Sequence, residues 1–338
     1  MGTWENLADL ELTIEATETE TLAVDVGAFL RKTTVVHLLG AGAEGVGEDV
    51  TYDAAEHDRF PAVDLAGSWT LASLSARLDA LDLFPSPPDQ HAYLDYRRWA
   101  FESAALDLAL RQADTTLARQ LGREVRPLTF VVSTRAGFAD WVRLYPGIRF
   151  KLDPVPDWPD ERWRELAEWR NVDVLDLKGA YHGTSVDNPP NPELYARVAT
   201  AVPSAWIEDP ALDDETDAVL APYRDRITWD APIHSWADVE ALPFMPTCLN
   251  SKPSRFGSLA RLGEFYDRCA RRGIRLYGGG QFELGPGRGQ IQLLASLFHA
   301  DGPNDVAPGV YNTGGPRPGL PVSPLRIEPG PGFRYDAA

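Results

Sequence analysis

From residue 127 onward, short apolar runs alternate with amphipathic segments. Seven runs are clear and an eighth, DVAPGVYN, is weaker; the seven are LTFVVST, IRFKLD, VDVLDL, AWIED, ITWD, TCLNSK and IRLYGGG. Most of the segments between them have apolar residues at helical spacing, as in ERWRELAEWR and SLARLGEFYDRCARRG. Alternating strands and helices predict an α/β fold with a parallel sheet, and about eight units favour a closed TIM-type (β/α) barrel over a doubly wound open sheet, which is the alternative.

The first third of the chain has a different pattern. LELTIEA and TTVVHLLG have the alternation and β-branched content of strands, with a turn expected at GAGAEGVGED. Further on, YRRWAFESAALDLALRQADTTLARQLGR has apolar residues at helical spacing as far as Gly122. We therefore expect an α+β capping domain over residues 1–125, a modified barrel over 126–315, and a C-terminal segment over 316–338 that packs on the cap or the barrel with a frayed end.

Charge and composition narrow the classes of function. The 338 residues include 50 acidic and 32 basic side chains, a formal net charge of −18. Such a charge repels nucleic acid and anionic membranes, so neither is expected as a partner. The chain has no apolar run of membrane-spanning length and no signal-peptide pattern, which favours a cytoplasmic location. Cys248 and Cys269 lack metal-site spacing and are expected to be reduced.

Five successive apolar runs carry a charged residue at the carboxyl end, where the active site of a barrel lies. These residues are Lys151, Asp176, Glu208, Asp230 and Lys252. From Asp176 to Lys252 the successive separations are 32, 22 and 22 residues, each close to one strand plus one helix. Three carboxylates that converge on one mouth repel one another unless a cation neutralises them. Asp176, Glu208 and Asp230 are therefore candidate ligands of Mg²⁺, with Mn²⁺ as the alternative ion.

Together these features resemble the enolase superfamily, in particular its muconate-lactonizing branch, which includes o-succinylbenzoate synthases and N-acylamino acid racemases. RKTTVVHLLGAGAEGVGED is similar to the first hairpin of that family's cap, and GGGQFELGPGRGQIQLLASL to its seventh strand and following helix. The resemblance maps Asp176, Glu208 and Asp230 onto the magnesium ligands and Lys252 onto the lysine of the sixth strand. It implies a lyase or isomerase that removes the proton α to the carboxylate of a small substrate, giving a magnesium-stabilised enolate. O-succinylbenzoate synthase-like, cycloisomerase-like and dehydratase-like outcomes all fit, and a homo-oligomer is compatible.

Positions 153 and 178 depart from the family pattern. The family has a Lys-x-Lys pair on its second strand, whereas RFKLD places Lys151 first and Asp153 where the base is expected. Lys178 stands where the family often has asparagine. It is either a relocated acid or base, an ion-pair partner of Asp153 or the carboxylates, or a cation that partly replaces the metal. The alternative function is therefore a metal-free or non-catalytic descendant that binds a small acidic ligand, while Lys252, Lys151 and Lys178 are the candidate catalytic residues.

Other polar residues near the ends of the runs are candidates for substrate contact. Ala231 follows Asp230 where the family commonly has glutamate, and a histidine lies just beyond it. Arg255 is expected to form a structural pair, and His182 is a weaker candidate beside Tyr181. The candidate substrate-binding residues are Glu283, Tyr181, Asp153 and His234.

Overall fold

The computed structural model describes residues 2–134, 137–181, 186–312, 314–328 and 330–335. In its N-terminal part, β1 (Glu11–Ile14) pairs antiparallel with β5 (Gly67–Thr70). The strands β2 (Ala16–Asp25), β3 (Leu30–Gly40) and β4 (Ala43–Asp49) form a three-stranded antiparallel sheet. The helices of this part are α1 (Ala54–Asp58), α2 (Leu71–Asp79), α3 (Ala92–Gln112) and α4 (Leu117–Leu121). The α+β character predicted for the first third is confirmed.

The glycines of β4 serve helix packing rather than chain reversal. A Cβ atom at Gly45 or Gly47 would lie 2.2 or 2.0 Å from a backbone carbonyl oxygen of α3, so only glycine lets the helix approach so closely. The turn expected over GAGAEGVGED is wrong in extent, because only Ala41 and Gly42, both with positive φ, reverse the chain. The helix expected to run to Gly122 is divided into α3 and α4, and this glycine caps α4 in the left-handed conformation.

In the remainder of the chain, eight parallel backbone segments close into a ring. The strands are β6 (Val132–Ser133), β7 (Phe150–Leu152), β8 (Val172–Asp176), β9 (Trp206–Glu208), β10 (Ile227–Thr228), β11 (Cys248–Ser251) and β12 (Arg275–Gly278). Strands β6 to β10 form one parallel sheet in chain order, and β11 pairs with β12. The Asn250 N–H donates to the Trp229 carbonyl at 3.0 Å and links the two groups. Parallel bridges Gly279–Asp305 and Phe130–Asn304 supply the eighth segment. The predicted barrel is confirmed, and its weak eighth run contributes single bridges instead of a full strand.

Helices cover the outside of the ring, and the described part of the tail spans both halves of the molecule. Leu325 bridges Leu128 at the start of the barrel, whereas the Arg334 guanidinium lies 2.6 Å from the Asp107 carboxylate in α3. The boundaries expected at residues 125 and 315 stay predictions.

The outer helices are α5 (Phe138–Leu144), α6 (Asp160–Trp169), α7 (Pro192–Ala201), α8 (Asp214–Leu220), α9 (Trp236–Ala241), α10 (Pro253–Phe256), α11 (Leu259–Arg272) and α12 (Gly287–Phe298), with 3₁₀ turns at Ala221–Arg226 and Gly309–Tyr311.

None of the helices in the described ranges is both long enough and apolar enough to cross a membrane. The two cysteines, Cys248 and Cys269, are buried and unpaired as thiols, as expected from their spacing.

Candidate active site

Four carboxylates meet at the carboxyl ends of β8, β9 and β10. Asp176 ends β8 and stands in register with Glu208, which ends β9. Asp209 follows Glu208 directly, and Asp230 lies two residues beyond β10. All four side chains are at most 1% exposed. Oxygen atoms of Asp176, Glu208 and Asp209 lie within 4.8 Å of one another. Asp230, the third ligand expected from the sequence, is not part of this close group, in which Asp209 stands beside Asp176 and Glu208.

Lys151 bridges two of these carboxylates from β7. Its Nζ lies 2.7 Å from Glu208 Oε2 and 3.1 Å from Asp176 Oδ2, and the side chain is 2% exposed. Burial alone would lower the pKa of Lys151, but Glu208 and Asp176 outweigh it and raise that pKa well above its ordinary value. Lys151 is therefore held as an ammonium ion between the two acids.

Lys178 forms a second bridge, between Asp176 and Asp153. Its Nζ contacts the Asp176 carboxylate and lies 3.6 Å from Asp153 Oδ1, and it stands 5.2 Å from the centre of the Tyr181 ring. The backbone of Lys178 has φ 56°, a left-handed conformation that costs free energy for a residue with a side chain. Two of the partners considered for Lys178 from the sequence, Asp153 and the carboxylate group, are therefore both in contact with it.

Asp230 is held by cations on the other side of the group. Lys252 Nζ lies 2.8 Å from Asp230 Oδ2, and Arg255 Nη1 lies 2.8 Å from Oδ1. Tyr181 donates its hydroxyl to Asp230 Oδ2 at 3.3 Å. Burial opposes ionisation of Asp230, but Arg255 and Lys252 lower its pKa well below the usual range. The pairing expected for Arg255 thus involves a residue of the site itself.

Asp209 is the site residue that sequence reasoning missed. It accepts the backbone N–H of Asp230 at 2.8 Å and that of Ala231 at 2.9 Å, and so fixes the chain just after β10. Strand alternation would turn the neighbour of Glu208 to the opposite face. Asp209 escapes that rule because its φ is 49°, which ends the strand and redirects the side chain. The acidic pair in WIEDP was the available signal.

The donor set fits a divalent cation. Burial raises the pKa of Glu208 to about 8, with Lys151 opposing and Asp176 adding to the rise. Burial also raises the pKa of Asp209 to about 7, and Asp230 contributes. Each value reports a buried carboxylate with too little positive charge near it, which an additional cation would supply. Buried carboxylate oxygens are the ligands that Mg²⁺ and Mn²⁺ prefer.

Two further candidates lie at the rim of this group. Glu283 is buried, accepts the Gln281 N–H at 2.6 Å and lies 3.0 Å from Arg288 Nη2. His234 Nδ1 lies 3.1 Å from the Arg255 carbonyl and 3.6 Å from Asp95 in the N-terminal part, so it meets the site through Arg255. His182 lies outside the described residues.

The glycines at the end of β12 and just beyond it leave room for Lys252 and for Glu283. A Cβ atom at Gly279 would lie 2.6 Å from Lys252 Cε, and one at Gly280 would lie 2.6 Å from Glu283 Oε2. Neither side chain could keep its position beside a larger residue. The GGG sequence is therefore part of the site, although it carries no reactive group.

The chain has few lysine residues, and most of them lie at the site. Of the 32 basic residues, 28 are arginine and four are lysine. Three of these four, Lys151, Lys178 and Lys252, contact the carboxylates, and the fourth, Lys32, pairs with Asp58 on the N-terminal part. Arginine does not give up its proton in proteins, whereas a lysine can exchange one when its surroundings permit. Three of the four lysine ammonium groups of the chain thus lie at the barrel mouth.

Comparisons with known proteins agree with this architecture. The family models described as the N-terminal and C-terminal domains of "Domain of unknown function (DUF8230)" match residues 5–120 and 124–313. An o-succinylbenzoate synthase of Geobacillus stearothermophilus is 26% identical over 256 residues, 70% of this chain and 66% of that protein. An N-succinylamino acid racemase of Amycolatopsis sp is 29% identical over 229 residues, 62% of this chain and 58% of that protein. The chain spans 66% or less of each relative's length.

Solved structures show the same fold over nearly the whole chain. A muconate cycloisomerase from Pseudomonas fluorescens has a TM-score of 0.67 and 19% identity, covering 96% of both chains. A dipeptide epimerase from Methylococcus capsulatus, solved as a complex with a Mg ion, has a TM-score of 0.69 and 19% identity, covering 96% of this chain and 99% of that one. The resemblance drawn from the sequence is confirmed in fold and in relatives.

Proposed function

We propose, since the chain belongs to the DUF8230 family and has the enolase-superfamily fold, that it is a lyase or isomerase acting on a small carboxylate substrate. Its reaction would begin with removal of the proton α to the substrate carboxylate. The observation that carries this proposal is the concentration of three of the chain's four lysines among buried carboxylates at one end of the barrel. Proton transfer next to a carboxylate needs both an exchangeable proton carrier and a way to stabilise negative charge.

Asp176, Glu208 and Asp230 would hold Mg²⁺, with Mn²⁺ as the alternative. When bound, the ion would supply positive charge that favours the negative charge developing as the α-proton leaves. Asp209 would position Asp230 instead of binding the ion itself, because it accepts the backbone N–H groups of Asp230 and Ala231 and so fixes the main chain there. Lys151 would keep Glu208 and Asp176 oriented and would favour the ionised form of each.

Lys252 and Lys178 would move protons. Lys252 directly follows β11, lies beside Asp230 and is the residue that the resemblance places on the sixth strand. Lys178 would replace the second-strand base of the family, with Asp153 and Tyr181 holding its ammonium in place. Glu283, Tyr181, Asp153 and His234 would contact the substrate. The outcome after proton removal, whether synthase-like, cycloisomerase-like or dehydratase-like, depends on the substrate.

A metal-free, non-catalytic binding protein is not favoured, because Asp176, Glu208 and Asp209 form a buried group that could hold a metal ion and the relatives are enzymes by name. The cytoplasmic location and a homo-oligomeric state stay predictions.

The test is α-proton exchange. The protein is incubated in D₂O with Mg²⁺ and a panel of small carboxylic acids, and deuterium at the α-carbon is followed by NMR. We expect exchange for at least one acid, and a loss of roughly 10²- to 10⁴-fold in Lys252→Ala. Lys32→Ala is the matched control and should exchange at the wild-type rate, since that lysine pairs with Asp58 in the N-terminal part. Undiminished exchange in Lys252→Ala would rule out the assigned role of Lys252.

A further inference from the structure

Two charged residues of the N-terminal part are buried against a single barrel segment. Arg31, in β3, is 0% exposed and Glu48, in β4, is 1% exposed. Both contact residues 279–287, which join β12 to α12 and are called here the β12–α12 segment. Burying a charge costs free energy unless its hydrogen bonds are made, so these contacts are specific ones.

Arg31 binds the carbonyl groups of this segment. Its Nη2 donates to the Gln281 carbonyl at 2.8 Å, and its Nε donates to the Phe282 carbonyl at 3.2 Å. The same guanidinium donates to the Thr51 and Val50 carbonyls of its own domain at 2.6 and 2.9 Å. One planar cation therefore ties the end of β4 to the start of the segment, and Phe282 is held there with φ 59°.

Glu48 binds the amide groups of the same segment. It accepts the Leu284 N–H at 2.7 Å, the Gly285 N–H at 3.0 Å and the Gly287 N–H at 2.9 Å. A Cβ atom at Gly287 would lie 2.8 Å from Glu48 Oε2, so this approach requires glycine. Charge-assisted hydrogen bonds of this kind are stronger than neutral ones.

Glu283 lies between the carbonyls bound by Arg31 and the amides bound by Glu48. The segment that carries Glu283 also contains Gly279, which faces Lys252. We propose that Arg31 and Glu48 are positioning residues through which the N-terminal part fixes the β12–α12 segment and so holds Glu283 at the barrel mouth. The part of this inference that concerns substrate contact by Glu283 rests on the proposed function.

Hydrogen exchange measured by mass spectrometry tests the inference without any substrate. Arg31→Met and Glu48→Gln keep the approximate size of each side chain and remove its charge. We expect amide exchange in residues 281–287 to become roughly tenfold faster or more in both variants, relative to the rest of the barrel. If Arg31→Met does not fold, Arg31→Lys and Glu48→Gln carry the same test.

Arg97→Met is the matched control. Arg97 is also 0% exposed, but it binds Asp49 and the Leu83 and Glu56 carbonyls, all within the N-terminal part. It should leave the relative exchange of residues 281–287 unchanged. Equal effects of Arg97→Met and Arg31→Met, or wild-type exchange in the two test variants, would overturn the inference.

Steady-state kinetics distinguish positioning of Glu283 by Arg31 and Glu48 from a purely structural role of these two residues. On an acid that wild type deuterates, Arg31→Met and Glu48→Gln should change KM and kcat in the same direction as Glu283→Gln. In a Glu283→Gln background, Arg31→Met should add little, because the residue it positions is already altered, whereas full additivity would contradict the positioning role. If wild type deuterates no acid, the proposed function fails, while the exchange comparison still decides whether Arg31 and Glu48 hold the segment.

Discussion

Asp153 and Lys178 form an ion pair between neighbouring barrel strands, with Asp153 Oδ1 3.6 Å from Lys178 Nζ. Asp153 follows β7 directly and Lys178 stands two residues beyond β8. In the family that the sequence resembles, position 153 would carry a lysine and position 178 an asparagine. The chain thus keeps an ammonium at this side of the mouth but supplies it from the adjacent strand, where Asp176 and the carboxylate at 153 both pair with it.

Because the ammonium comes from position 178 instead of position 153, we expect substitutions at these two positions to lower α-deuterium exchange to different degrees. Lys178→Asn should lower α-deuterium exchange roughly 10²- to 10⁴-fold, because it removes a proton carrier. Asp153→Asn should have a smaller effect, because it removes only one of the contacts of Lys178. The double variant Asp153→Lys with Lys178→Asn should recover part of the loss, since it returns the ammonium to the neighbouring strand. Wild-type exchange in Lys178→Asn would show that this lysine is only an ion-pair partner.

The carboxylate group predicts different roles for Asp230 and Asp209 in metal binding. Asp230 is bound by side chains that can rearrange, whereas both oxygens of Asp209 are taken by backbone N–H groups. We expect Mg²⁺ titration by calorimetry to give heat with wild type, none with Asp230→Asn, and roughly ten- to a hundredfold weaker binding with Asp209→Asn. Asp58→Asn, at the exposed Lys32 pair, is the control and should bind as wild type does. A larger loss in Asp209→Asn than in Asp230→Asn would make Asp209 the third ligand.

The sequence predicted those features of the site that local patterns encode. Apolar runs locate the strands, and residues that end them, such as Asp176 and Lys252, must converge in a barrel. Asp209 was missed because strand alternation assigns it to the wrong face, and its left-handed φ is a tertiary outcome. Arg31 and Glu48 lie more than 230 residues from the segment that they hold, and no periodicity relates positions so far apart.

The sequence pattern predicted a turn where the glycines of β4 lie. Because these glycines pack against α3, we expect their substitution to lower the stability of the protein. Gly45→Ala would place a methyl group 2.2 Å from the Ala104 carbonyl oxygen, so α3 and β4 must separate. We expect a loss of about 2 kcal/mol or more in the free energy of unfolding, measured by urea denaturation. Gly147→Ala is the control, because a Cβ atom there meets nothing within 4 Å, and it should stay within about 0.5 kcal/mol of wild type. Equal stability of the two variants would contradict the packing role.

His299 predicts how stability depends on pH. This side chain is 6% exposed, and its Nδ1 lies 2.7 Å from Asn304 Oδ1. Within the described residues its Nε2 has no hydrogen-bond partner. Burial lowers the pKa of His299 from 6.5 to about 4, because the imidazolium form has lost its water without gaining a carboxylate.

Because the folded state has the lower pKa, the unfolded chain takes up the proton first as the pH falls. The stability contribution of neutral His299 is therefore complete above about pH 6.5 and is lost progressively towards about pH 4. Between pH 7 and pH 5 we expect wild type to lose about 2 kcal/mol more in the free energy of unfolding than His299→Gln, which has no group titrating there. Urea denaturation at several pH values measures this difference, and the carboxylates common to both proteins cancel. Parallel stability curves for wild type and His299→Gln would show that His299 keeps an ordinary pKa in the folded protein.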